Sequence, residues 1–304
     1  MKDKTQTQHY DYVPIIDREP LRLPENKRIA ILPFVNIEHF PAHIPGTALV
    51  PATSGFSPDP LNYGWRDYGN RVGVWRIMEM MDAYSMPATV CLNSDVIREY
   101  PRIIEEGEKR GWSWIGHGVN NTPNNLIATV HKDDGRSDGL DETRERAILE
   151  TVLNEMEQTF SRPTKGWLSP YLTHTDNTPR LLAELGVEYL CDYTADDQPF
   201  RFRPPVDNLI AIPYTLEIND FSAFLTMGMS SKDFGDMIID QFDVLYEEGA
   251  TNPRCMPICL HTFLSGQPNK CKHVRRALEY ISTHENVWVT TGDELNEWYR
   301  QNYL

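Results

Sequence analysis

The stretch WSWIGHGVNN, residues 112–121, reads as a short apolar strand that ends on a glycine and passes at once into polar residues, with His117 first and Asn121 four positions later. Aromatic and β-branched residues suit a buried, pleated surface, and the run is too short for a helix. A histidine placed where such a strand stops is open to three readings: a metal ligand, a catalytic acid or base, or a polar residue that closes the strand.

Runs of the same kind recur at RIAILPFV (28–35), ATVCL (88–92), KGWL (165–168), VEYLC (187–191), NLIAIP (208–213), MPICLH (256–261) and VWVTT (287–291), so with WSWIG (112–116) the chain holds eight candidate strands. Between them lie segments with apolar residues at helical spacing. The clearest is DETRERAILETVLNEMEQTF (141–160), where Ile148, Leu149, Val152, Leu153, Met156 and Phe160 share one face and acidic residues at the start suit the helix dipole. Residues 70–85, 178–185, 231–249 and 272–283 supply further helices, and Met78, Met80 and Met81 in the first read as core filler. Strands separated by helices need crossover connections and therefore a parallel sheet. Eight of them predict an α/β fold, a single-domain (β/α) barrel that is closed or nearly so.

Two stretches lack any period. Residues 1–27 read as an N-terminal extension to a barrel spanning 28–304. Residues 41–66, rich in Pro, Gly and Ser, follow the first strand and are long for a loop in a compact domain. Barrels carry their active sites at the C-terminal strand ends, so this segment is expected to be a lid over the site.

At 304 residues with 40% hydrophobic content, the chain is long enough to bury a core in one domain. A formal net charge of −15, spread along the chain, repels phosphate backbones and anionic membranes, which argues against nucleic acid or a membrane as partner. MKDKTQTQHY has no apolar signal-peptide core and no run approaches about 18 apolar residues. A cytoplasmic location is the expectation. The five cysteines, Cys91, Cys191, Cys255, Cys259 and Cys271, form no CxxC pair and read as buried, reduced thiols.

Polar residues gather where the candidate strands end. NIEHF places Asn36, Glu38 and His39 after the first strand, HGVNN places His117, Asn120 and Asn121 after the third, and HTFLSGQP places His261 at the end of the seventh. In a barrel these ends face one cavity, so Glu38, His117 and His261 converge although far apart in the chain. A carboxylate, an imidazole and an amide oxygen could bind a divalent ion, but the amide is a weak neutral donor and makes a poor zinc site. In metal-free chemistry His117 or His261 shuttles a proton while Glu38 orients a water or acts as base. The plainer alternative is that each residue only closes a strand. In YGWRDYGNRVGVWR (63–76), Trp65 and Asp67 either hold a planar polar substrate or belong to a helix cap. Asp196 and Asp197 in DYTADDQP, and Glu217, Asn219 and Asp220 in PYTLEIND, stand equally open between site and turn.

The blocks FVNIE (34–38), WRDYGNRVGVWRI (65–77), MPATVCLN (86–93), YPRIIEEGEKRGWSWIGHGVNN (100–121), GWLSP (166–170), TPRLLAELGVEYLCDYTADDQPF (178–200) and HTFLSGQP (261–268), in this order, resemble the polysaccharide deacetylase superfamily, the NodB-homology or carbohydrate esterase family 4 group. The resemblance implies a distorted (β/α) barrel and hydrolysis of a non-peptide C–N bond. Metal-dependent members carry two aspartates after the first strand, a base and a ligand, and an HxxxH motif after the third. The matching positions here are Asn36 and Glu38, then His117 and Asn121. That pattern resembles the branch of allantoinases and cyclic imide hydrolases. It implies opening of a small cyclic amide, imide or ureide without a metal cofactor. Glu38 then activates water, His261 or His117 delivers the proton, and Asn121, Trp65, Asp67, Trp167 and Asp197 surround the substrate. Should a metal be used, the resemblance implies one zinc ion on Glu38, His117 and Asn121 in an N-deacetylase of an N-acetylated sugar. A third reading is an inactive ligand-binding barrel. A homo-oligomer, dimer or tetramer, is the implied assembly.

Overall fold

All nine residues of β1 (Ile29–Ile37) are buried, which is the signature of a strand covered on both faces. The computed structural model describes residues 9–121, 128–130, 137–139 and 141–304. After β1 come α1 (Pro60–Tyr68), α2 (Val74–Ala83), β2 (Thr89–Leu92), α3 (Asp95–Glu99), α4 (Pro101–Lys109) and β3 (Ser113–Gly116). Next are the short antiparallel pair β4 (Ala128–Val130) and β5 (Ser137–Gly139), then α5 (Glu142–Phe160), β6 (Gly166–Trp167), α6 (Thr178–Glu184), β7 (Tyr189–Leu190), β8 (Phe200–Arg201) and β9 (Ile210–Ala211). The chain finishes with α7 (Ser231–Glu248), β10 (Arg254–His261), α8 (Pro268–Ser282), β11 (Val287–Val289) and α9 (Gly292–Tyr303).

Every one of the eight expected strands is present, and with the unexpected β8 they form one sheet in the order β10-β1-β2-β3-β6-β7-β9-β8, with β11 also on β1. The pairings are parallel except β8 against β9. The sheet curls into a half-barrel rather than closing. Among the described residues the two ends meet at a single bridge, Asn219 with Cys259. β6, β7 and β9 are two residues long, so they offer too little ladder to carry the curl round to β10.

The helices follow their local chemistry. Asp141 caps α5 by accepting from the Arg144 N–H, and Ser161 ends it in the left-handed region. α9, unmarked in the sequence reading, starts with a capping box between Thr291 and Glu294. The helix expected over 70–85 begins earlier, at Pro60, and is broken by a π turn at Gly69–Gly73. Met78, Met80 and Met81 are buried in the core, and all five cysteines are free and buried.

The N-terminal extension is tied to the barrel. Arg18 forks onto both oxygens of Asp196 at 2.8 and 2.5 Å, and Leu21 and Leu23 are buried. Residues 41–66 comprise a loop, a short 3-10 turn at Pro51–Thr53 and most of α1. No helix among the described residues is long and apolar enough to cross a membrane.

The π turn matters because it presses against the chain just beyond His261. A Cβ on Gly73 would lie 2.1 Å from the Thr262 carbonyl oxygen, which no side chain can occupy. Gly73→Ala is therefore expected to destabilise the fold by about 1–3 kcal/mol, read as a lowered melting temperature in thermal denaturation.

Candidate active site

Register builds the first half of the site. Ile37, Leu92 and Gly116 are the last paired residues of β1, β2 and β3, so Glu38 and His117 leave the sheet at one level with Asn93 between them. On the other edge of β1, Asn36 is registered with His261. Parallel strands thus deliver three distant residues to one place.

Their meeting point is one oxygen. Glu38 Oε1 accepts from Asn121 Nδ2 at 2.7 Å, and it lies 3.5 Å from His117 Nε2 and 4.0 Å from His261 Nε2. His117 Nδ1 sits 2.7 Å from the Leu168 carbonyl oxygen, which can only accept, so this nitrogen carries a proton. His261 Nδ1 sits 2.7 Å from Asp220 Oδ1 and is likewise the protonated nitrogen. Both rings therefore turn Nε2 toward Glu38. The other carboxylate oxygen, Glu38 Oε2, and the Asn121 Oδ1 are buried with no hydrogen-bond partner among the described residues.

Asp220 is fully buried and well satisfied, accepting from the backbone N–H groups of His261 and Ser265 as well as from the ring. Burial alone would lower the His261 pKa, but the Asp220 and Glu38 carboxylates outweigh it and leave the imidazole raised above its ordinary value. Next to it, the Tyr214 hydroxyl joins Asn36 and Asn219 in a buried network, and burial pushes its phenol well up, so it stays neutral.

These groups floor a cavity of about 180 Å³ whose walls are Leu168, Tyr171, Leu172, Leu216 and Phe221. Among the described residues that line it there is no lysine or arginine. Tyr171 and Leu172 both have left-handed backbones, with φ of 55° and 54°, a conformation that costs non-glycine residues on the order of 1 kcal/mol each. Residues 41–66 do not line the cavity; they reach its rim, where the Thr47 hydroxyl lies 3.1 Å from the Tyr171 hydroxyl. A larger groove, of about 1560 Å³, lies beyond Tyr214 against the N-terminal extension and contains none of Glu38, His117 or His261.

Residues 64–190 match the polysaccharide deacetylase family. That segment contains His117, Asn121 and the Leu168–Leu172 wall, while Glu38, Asp220 and His261 lie outside it. Longer comparisons span both parts. A solved structure of Puue allantoinase superposes with a TM-score of 0.78 at 25% identity, covering 97% of this chain and 99% of that one. A Helicobacter pylori peptidoglycan deacetylase is 24% identical over 81% of this chain and 89% of its own length. A Schizosaccharomyces pombe protein whose name places it provisionally among polysaccharide deacetylases is 27% identical over 75% of this chain and 73% of its own.

Within this deacetylase-type barrel, Glu38, His117, Asn121 and His261 come together and the other four expected residues do not. Trp167 is fully buried, its indole N–H donating to Ser169 Oγ at 3.1 Å, and its ring packs where a Cβ on Gly116 would lie. Trp65 packs edge-on to Phe263, with ring centroids 5.0 Å apart. Asp67 accepts from the Tyr100 hydroxyl at 3.2 Å and pairs with Arg71. The Asp197 carbonyl takes the Cys255 N–H at the start of β10, roughly 20 Å along the strand from His261. Sequence reading named Asp220 without choosing it and passed over Tyr214 and the Asn93 that separates the two strand ends. The only signal for Asp220 was its place after a predicted strand; its pairing with His261 comes from the Asn219–Cys259 bridge.

Removing the Asp220 charge leaves burial unopposed on that side of the ring. Asp220→Asn should lower the His261 pKa, so that NMR titration of the ring shows protonation only at lower pH than in the parent protein.

Proposed function

We propose that the protein is a hydrolase of non-peptide C–N bonds that opens a small cyclic amide, imide or ureide. The observation that carries this reading is the convergence of two imidazole Nε2 atoms and one amide on Glu38 Oε1 inside a small, mostly apolar cavity. The names of the relatives support it, since deacetylation and allantoinase action both break such bonds. The uncharged walls favour a compact neutral ring over a substrate held by a carboxylate or phosphate. A cytoplasmic, homo-oligomeric enzyme is part of the same proposal, and five buried free thiols suit a reducing compartment.

In the proposed reaction a water beside Glu38 attacks the ring carbonyl carbon and Glu38 takes its proton. His261, whose affinity for a proton Asp220 raises, donates in its acid form from Nε2 to the leaving ring nitrogen as the C–N bond breaks. The proton on Glu38 then returns to His261 through a water bridging the 4.0 Å between them. His117 Nε2 flanks the carboxylate from the other side at 3.5 Å, with Asn121 fixing its rotamer.

A divalent ion at the place the resemblance implies would sit on Glu38, His117 and Asn121. These supply one carboxylate, one imidazole and an amide whose nitrogen is directed to Glu38. A hydrolytic zinc site uses three strong protein donors and an open position, and this set falls one short. Among the described residues no cluster of three His, Cys, Asp or Glu side chains is placed to hold a metal. The donor set therefore does not fit a tightly held zinc, and no step above depends on one.

Turnover of a panel of cyclic imides, lactams and ureides should survive dialysis against EDTA. Loss of activity that zinc or cobalt restores, with N-acetyl sugars as the better substrates, would instead establish the metal-dependent deacetylase. Glu38→Gln should cut kcat by about 10²- to 10⁴-fold, and His117→Ala should abolish turnover while far-UV circular dichroism stays that of the folded parent. Because the acid form of His261 is required, activity falls as pH rises through its pKa. In Asp220→Asn that basic limb of the kcat/KM profile moves to lower pH.

A further inference from the structure

We propose that Asn93 is a positioning residue that sets the distance between Glu38 and His117; the inference rests on the hydrolase reading above. Asn93 is the first residue beyond β2, the strand that separates β1 from β3, and it is fully buried. Beyond the last paired residues the Asn93 N–H still donates to the Ile37 carbonyl and the His117 N–H to the Leu92 carbonyl, but β2 lies between the outer two strands, so a link from the Glu38 backbone to that of His117 has to cross it. The Asn93 side chain provides that link. Its Oδ1 accepts from the His39 N–H at 3.0 Å, the peptide that follows Glu38. Its Nδ2 donates to the carbonyl oxygen of His117 itself.

One amide thus spans the two backbones that carry the paired carboxylate and imidazole, and both of its functional groups are used. Only a side chain with a donor and an acceptor in one plane can do this, which excludes a hydroxyl or a carboxylate as an equal substitute. The Glu38 side is gripped elsewhere too, with Asn70 Nδ2 donating to the Glu38 carbonyl at 2.8 Å and the Asn121 N–H to the His39 carbonyl at 2.9 Å. That last bond also joins the two sides, but four residues past His117; Asn93 is the tie at the His117 carbonyl itself. Loss of that tie lets the strand ends move apart, and displacement of catalytic groups by about 1 Å is enough to cost on the order of 100-fold in rate.

The alternative is that Asn93 merely satisfies two buried backbone groups. Asn296 provides the comparison, since it is equally buried, joins Glu188 and Arg300 on α9, and lies away from the cavity. The experiment measures kcat, KM and melting temperature for Asn93→Ala, Asn93→Asp and Asn296→Ala, well below every melting temperature, together with the ring ¹⁵N resonances of His117 assigned by their loss in His117→Ala. Positioning predicts a fall in kcat on the order of 100-fold for both Asn93 variants with KM within about threefold. It also predicts displaced His117 resonances, and neither effect in Asn296→Ala. Full kcat in Asn93→Ala with unmoved His117 resonances overturns the inference, and so does an equal loss of kcat in Asn296→Ala. Should Glu38→Gln stay fully active, the hydrolase reading fails by itself, and the His117 resonances still decide whether Asn93 holds that ring.

Discussion

β1 hydrogen-bonds to three strands at once: to β10 along most of its length, to β11 over its first residues and to β2 over its last. A strand shared in this way cannot slip by one residue without breaking ladders on both edges and turning its buried side chains the wrong way. The candidate site inherits that constraint. Asn36 faces His261 across one edge, and Ile37 faces Leu92 across the other, so the positions of Glu38, Asn93, His117 and His261 all descend from a single register. The glycines of the π turn lock the same place from outside, since Gly73 lies against the Thr262 carbonyl where no larger residue fits.

Charge burial at these strand ends is uneven. Asp220 has its oxygens occupied by two backbone N–H groups and a ring nitrogen, the full set of partners that burial demands of a polar group. Glu38 has one oxygen crowded by an amide and two rings and one with no partner among the described residues. A structural carboxylate would be expected to resemble Asp220; the unfilled oxygen of Glu38 is the arrangement expected of a group that takes up water or substrate. The two histidines differ in the same sense. His117 is anchored by a neutral carbonyl, whereas His261 is backed by a carboxylate that raises its affinity for a proton.

The walls complete the argument about substrate. Leu168, Leu172, Leu216 and Phe221 surround the polar floor, and the left-handed backbone at Tyr171 and Leu172 keeps the Leu168–Leu172 segment close over it. The Leu168 carbonyl anchors His117, and Asp192 fixes the next residue by accepting the Ser169 N–H at 2.6 Å. One short segment therefore both shapes the cavity and orients its histidine.

Much of this was legible in the residues alone. Alternating apolar runs and amphipathic segments determined the strands and most of the helices, because period depends only on local geometry. Glu38, His117, Asn121 and His261 were legible for the same reason: each stands one or a few residues past a strand, and parallel strands end together. Closure of the barrel was not legible, because it turned on two-residue strands whose pairing is decided by neighbours. Nor was Trp167, whose place in a tight run gives no sign of which face it takes; only packing against Gly116 put it in the core. Asp197 and Asp220 look alike as acids after strands, yet one sits at the start of β10 and the other holds the ring at its end. Sequence determines what each strand end carries. Tertiary structure decides which ends meet, because hydrogen-bond partners such as Asp220 for His261 and Asn93 for Glu38 and His117 come from register between segments that local chemistry cannot relate.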